Sequence, residues 1–170
     1  MADIPSTPAD GNVKVVLATA LADPGAPTVA ELEAAVDISC YLTPDGFAFA
    51  QEQAVITDDR LCSTQTFNKG GRKSYTLTLT GIDNTNSDNE AQYNEFVDTL
   101  VEGSSLVAVA RYGIPYEEAY AAGQTVRVIP IDVGAKTELA PEANSVLRAT
   151  VNTFVSGPSE LVKVVGGSGS

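Results

Sequence analysis

Ser74-Tyr75-Thr76-Leu77-Thr78-Leu79-Thr80 alternates without a break. Successive side chains on a β-strand point to opposite faces, so Tyr75, Leu77 and Leu79 share one face and the Ser/Thr row shares the other. An apolar face backed by a hydroxyl face marks an antiparallel strand with one packed and one polar side. The same period recurs along the chain. Val13, Val15, Leu17 and Leu21 alternate over 13–21, and Leu147, Ala149, Val151 and Val155 oppose Arg148, Thr150 and Asn152 over 146–155. Residues 37–42 and 47–56 read as extended segments around the turn Thr43-Pro44-Asp45-Gly46, and 126–133 reads as a further strand. Leu106 to Tyr112 is apolar on both faces, as a central strand should be.

Helical signals are fewer. Thr28-Val29-Ala30-Glu31 is a capping box, followed by Val29, Leu32 and Val36 at helical spacing, and predicts a helix of about two turns. Ser87-Asp88-Asn89-Glu90 is a second box. Tyr93, Phe96, Val97, Leu100 and Val101 follow it at intervals of three and four, with Gly103 as the stop, and predict the one sizeable helix. Pro115 opens a short turn that Gly123 closes. The expected fold is mainly β: an antiparallel sandwich or partly closed barrel of about seven to nine strands with one flanking helix.

Three stretches fall outside this framework. Residues 1–12, with Pro5 and Pro8, read as an N-terminal arm before a β-domain over 13–160. Residues 57–73 are polar, lack a clear period and contain Gly70-Gly71, so an extended loop is expected there. Arg60, Lys69, Arg72 and Lys73 concentrate base in that loop, on a chain whose net charge is −12. They are the candidate assembly residues, reaching toward an acidic neighbour of the same kind. Residues 161–170 form a C-terminal tail in which Gly166-Gly167-Ser168-Gly169-Ser170 has linker composition.

Chemistry finds little purchase. The chain has no histidine, which removes Ser–His and Cys–His nucleophilic pairs, and two thiols without imidazole match no usual zinc set. Asp58, Asp59, Glu117, Glu118 and Asp132 offer carboxylates, yet no spacing singles out a catalytic pair. Asn84, Asn86, Asp88 and Glu95 approximate the offsets of a calcium loop, but Asn89 stands where glycine belongs and helix capping explains them better. No phosphate cradle and no basic, aromatic nucleic-acid face appears. The expectation is a protein without catalytic, cofactor or metal residues. Cys40 and Cys62 read as buried free thiols, with a disulfide as the alternative. No apolar run reaches the ~18 residues of a membrane span, and synthesis in the cytosol is expected.

Several segments together resemble the major tail proteins, or tail tube proteins, of long-tailed phages of actinobacteria. They are 8–13 (PADGNV), 26–32 (APTVAEL), 37–42 (DISCYL), 57–62 (TDDRLC), 111–119 (RYGIPYEEA) and 142–146 (EANSV), spread from about Ala9 to Pro158. The resemblance implies a β-sandwich or partly closed barrel related to the type VI secretion tube protein. It further implies hexameric rings stacked into a hollow tube of a flexible tail, located in the virion and made in the bacterial host cytoplasm. The implied partners are other copies of the chain, a tape measure protein, a tail terminator and distal tail proteins. DNA would pass through an acidic lumen without specific binding. The rival readings are a secreted β-sandwich adhesin and a type VI tube component.

Overall fold

The computed structural model describes residues 2–167. Eight strands build one antiparallel sheet that curls on itself, so the partly closed barrel is the form found, with a single sheet in place of two. The strands are β1 (Val13–Ala18), β2 (Val36–Asp37), β3 (Leu42–Asp58), β4 (Phe67–Ile82), β5 (Ser105–Tyr112), β6 (Thr125–Glu138), β7 (Arg148–Val155) and β8 (Glu160–Lys163). Their order is β2-β1-β5-β6-β7-β4-β3, and β8 also lies on β6, continuing the path of β7 past a short irregularity.

The concave face holds the main core. Val15 and Leu17 of β1, Ala108 and Ala110 of β5, Ile129 and Ile131 of β6, Val151 of β7, and Leu77 and Leu79 of β4 pack there with Phe96 and Leu100. These are the positions the alternating pattern assigns to the packed face. A second core lies behind β1, β5 and β6. Val16, Val109, Val126 and Val128 pack there against Leu32, Tyr120 and Val164. Strand β5 is apolar on both faces for this reason: each face meets a different core.

Helix α1 (Val29–Ala34) covers the second core and carries the expected capping box, with Glu31 N donating to Thr28 Oγ1 at 3.2 Å and Thr28 N to Glu31 Oε2 at 2.9 Å. Helix α2 (Glu95–Thr99) is a correction: five residues replace the sizeable helix expected after Ser87. The box residues serve turns. Ser87 Oγ donates to Asn84 O at 2.7 Å, and Asn86 N, in a left-handed residue at φ 65°, donates to Glu90 at 2.9 Å. The helix N-cap, Asn94, makes no side-chain cap bond, because its Oδ1 accepts from Asn84 N at 3.0 Å. Of the apolar residues expected along the helix, Phe96 and Leu100 bury deeply, while Tyr93 and Val101 stay exposed.

The second correction concerns the loop placed over 57–73. Strand β3 runs through Asp58 and β4 begins at Phe67, paired in register from Phe47–Leu79 out to Asp58–Phe67 with one irregularity between Gln53 and Val55. The true connection is 59–66. A hairpin exposed on both faces needs no alternation of apolar and polar residues, so its strands leave no periodic trace. Strands β6 and β8 also differ from expectation: β6 extends to Glu138, and β8 falls in the stretch that begins the expected tail. Of the linker, Ser168-Gly169-Ser170 lies outside the described residues.

Candidate assembly interface

The long hairpin is the largest feature that the core does not explain. Strand β4 is paired with β7 only from Leu77 to Ile82, so, among the described residues, 67–76 have β3 as their sole strand neighbour. At ~3.3 Å per residue the ribbon overhangs the sheet by roughly 30 Å. Isolated two-stranded ribbons are marginal in water. This one also exposes Val55, Ile56 and Phe67, and carries Leu61 fully exposed (107%) at its tip.

Each predicted assembly residue lies on this hairpin. Arg60 donates twice to Asp58, Nε to Oδ1 and an Nη to Oδ2, both at 3.1 Å, and Lys69 Nζ stands 3.7 Å from the same carboxylate. Asp58 thus gathers two of the four candidates at the base of the turn. Lys73 lies opposite Gln53, on the face that continues the core side of β4, whereas Lys69 lies opposite Ile56, three residues on along β3 and therefore on the other face. Arg72, one position before Lys73, alternates to the other face. Residues 51–75 hold four cations and three carboxylates, against six cations and nineteen carboxylates in the rest of the chain. The ribbon is near neutral on a strongly acidic body.

A second uncovered surface is the outer face of β3, β4 and β7. Ala48 and Ala50, Thr76, Thr78 and Thr80, and Thr150 and Asn152 lie side by side there in register. Thr80 Oγ1 and Thr150 Oγ1 bond across the strands at 3.0 Å. Where β4 pairs with β7 the cation on this face is Arg148, tied to Glu142 at 3.3 Å; Lys69 and Arg72 lie on the same face farther out along the hairpin. The N-terminal arm runs without strand structure to Gly11 and Asn12, where Tyr116 N donates to Gly11 O at 2.8 Å and Gly113 N to Asn12 O at 2.9 Å. Ile4, upstream of that anchor, is exposed.

The two cysteines are free, and both are exposed, which corrects the burial expected of them. Cys40 sits in the turn after β2 and Cys62 at the hairpin tip, where no core reaches. The carboxylates considered for catalysis do not converge: Asp58 lies on the hairpin, Glu117 and Glu118 in the turn after β5, and Asp132 on β6, where it accepts from Ser105 Oγ at 2.6 Å. Asn84, Asn86 and Ser87 are engaged in turn hydrogen bonds.

Sequence reasoning missed Arg111 as a structural residue. It is wholly buried, and its guanidinium donates to the carbonyls of Pro115 (3.0 Å), Glu118 (2.8 Å) and Ala119 (3.2 Å) while lying 4.9 Å from the Tyr120 ring. An arginine inside a double-sided apolar strand was the available signal.

Comparison with known proteins agrees with this geometry. Residues 1–168 match the family model described as phage tail tube protein. Among curated proteins none matches. Eleven chains of solved structures match. One of them, from the cryo-EM structure of the six-fold symmetrised anti-feeding prophage baseplate, aligns with a TM-score of 0.55 at 11% identity, covering 96% of this chain and 99% of that one. At that identity the likeness is one of fold. With the family match spanning nearly every residue, the chain belongs to the phage tail tube protein family and is a structural subunit of the virion tail.

Proposed function

We propose that this subunit assembles with copies of itself into stacked rings that form a hollow conduit for the genome, and that it catalyses no reaction. The observation that carries the proposal is the overhanging β3–β4 hairpin. It is a long paired ribbon that exposes Val55, Ile56, Leu61 and Phe67, and its outer strand, β3, leaves one edge unpaired within the sheet of the described residues. Monomeric proteins blunt such edges, because unpaired backbone groups recruit other chains. In an assembling subunit the same edge and ribbon are contact surfaces. By contrast, the opposite edge is closed: Ser39 Oγ accepts from Val15 N at 2.8 Å and donates to Val15 O at 3.2 Å, beside the short strand β2.

The uncovered Ala/Thr/Asn face supplies a channel lining that would not hold DNA, since duplex affinity comes mainly from free Lys and Arg on phosphate. Hexameric order, a flexible tail and contacts with tape measure, terminator and distal tail proteins are part of the same proposal, as is synthesis in the host cytoplasm. Electron microscopy of the purified, concentrated protein tests it. Rings or tubes with a central bore are expected, alone or on addition of the tail initiator complex. A strictly monomeric protein under all these conditions would overturn the proposal.

A further inference from the structure

At the other end of β3 from the hairpin tip lies a groove of about 350 Å³. Val13 and Val15 of β1, Tyr112 at the end of β5, and Leu42 and Phe47 at the start of β3 supply its apolar walls, with Asp10 on the rim. It marks the seam where the curled sheet fails to close. No lysine or arginine lines it, and Asp45, in the turn beside it, adds a second carboxylate close by.

From this arrangement we infer that the groove is the socket for the hairpin tip of a second copy of the chain, with Leu61 as the inserted side chain. The inference rests on the self-assembly proposed above and names the contact. Three observations carry it. Leu61 is fully exposed at the tip, and the neighbouring Arg60 is already held by Asp58 of the same hairpin, so an apolar side chain is what the tip presents. The groove offers the complement, an apolar floor. Third, Phe47 and Asp58 are separated along a continuous strand by roughly 36 Å at ~3.3 Å per residue, pointing the tip away from its own groove. A knob and a socket at opposite ends of one strand cannot meet within a molecule. They meet head to tail, and heterologous contacts of that kind propagate into open assemblies.

Cross-linking tests the contact directly. With Cys40→Ser throughout, native Cys62 probes the tip, Pro44→Cys probes the groove rim, and Thr78→Cys on the outer sheet face is the control. Assembled protein is oxidised mildly and run on a non-reducing gel. The Pro44→Cys protein is expected to give a ladder of covalent multimers and the Thr78→Cys protein none, since disulfides need Cα atoms within about 7 Å. A parallel pair avoids any dependence on the engineered thiols. Leu61→Asp should raise the concentration needed for assembly by about tenfold or more, and Leu61→Met should leave it near that of the parent. Leu61 is fully solvated in the subunit, so folding is not at stake; circular dichroism checks this. Tubes that form with no Pro44→Cys ladder, a ladder equally strong from Thr78→Cys, or Leu61→Asp protein that assembles like the parent would each overturn the socket while leaving self-assembly intact. Failure of the parent protein to assemble at all would remove both.

Discussion

Arg111 places a guanidinium where an apolar strand has both faces covered, and three backbone carbonyls of the 115–119 turn depend on it. Removing it takes from the Glu118 and Ala119 carbonyls the donor they have, while Pro115 O keeps the amide of Glu118 at 3.0 Å, and costs about 1–3 kcal/mol for each carbonyl that recovers no partner. Arg111→Leu is therefore expected to lower the urea-unfolding free energy by about 3 kcal/mol or more; a loss under 1 kcal/mol would show that the turn finds other donors. Asp83 provides a pH-dependent counterpart. Burial raises its pKa, but hydrogen bonds from the Thr85 hydroxyl and amide and from Lys136, 3.1 Å away, outweigh burial and hold the carboxyl below its usual range. A depressed carboxylate contributes stability that is full above the unfolded value near 3.9 and is lost as pH falls through the folded value. Lys136, raised chiefly by Asp83 against the burial that lowers it, contributes below about pH 10.4 and loses that contribution only in strong base. Thermal melts should thus fall below about pH 4, and Asp83→Asn should melt lower than the parent at pH 7 yet converge with it as pH falls through the folded value. Parallel curves across that range would mean Asp83 is not the titrating group.

At the scale of elements, the irregular stretch between Leu42 and Phe47, near the start of β3, depends on Gly46. A Cβ there would collide with the Thr80 carbonyl oxygen and stand 2.8 Å from Thr43 N, and Thr80 is held in place by its pairing with Thr150. Gly46→Ala is expected to destabilise by about 2–3 kcal/mol through forced separation of β3 from β4, measured as a drop in denaturant midpoint. A neutral outcome would show that the irregularity between Leu42 and Phe47 absorbs a methyl group. The elements also differ in how far they could be read beforehand. Strands β1, β5 and β7 were legible because each buries a face, and burial imposes a period. Helix α1 was legible because its capping box is a local contact between residues 28 and 31. The second box misled because Ser87 and Glu90 carry the same local chemistry in a turn, and only the buried Asn94 decides where α2 begins. The hairpin over 57–73 read as a loop because its strands bury nothing within the subunit.

For the whole molecule, the charge distribution sets the expected behaviour. A body with nineteen carboxylates and six cations repels its copies, whereas a ribbon with four cations and three carboxylates approaches them. Reversing Arg60, Lys69, Arg72 and Lys73 to Glu should leave the subunit folded, since all four lie on exposed hairpin positions, but slow assembly and make it more salt-dependent. Assembly at the parent rate in low salt would remove these residues from the interface. In the subunit Arg60 and Lys69 share Asp58, so the reversal should also loosen the tip, visible as faster amide exchange over 58–69.

The amino-acid sequence by itself determined that the protein is an acidic, strand-built domain, which strands are half-buried, and where its concentrated base lies. Those properties follow from composition and from periods that burial writes into a few consecutive residues. Only the tertiary structure decided that one sheet curls without closing, that the basic stretch is a paired β-ribbon, and that its tip and an acid-rimmed groove stand at opposite ends of β3. Those depend on pairings between residues far apart in the chain, and on surfaces whose partners lie in another molecule, which no local pattern records.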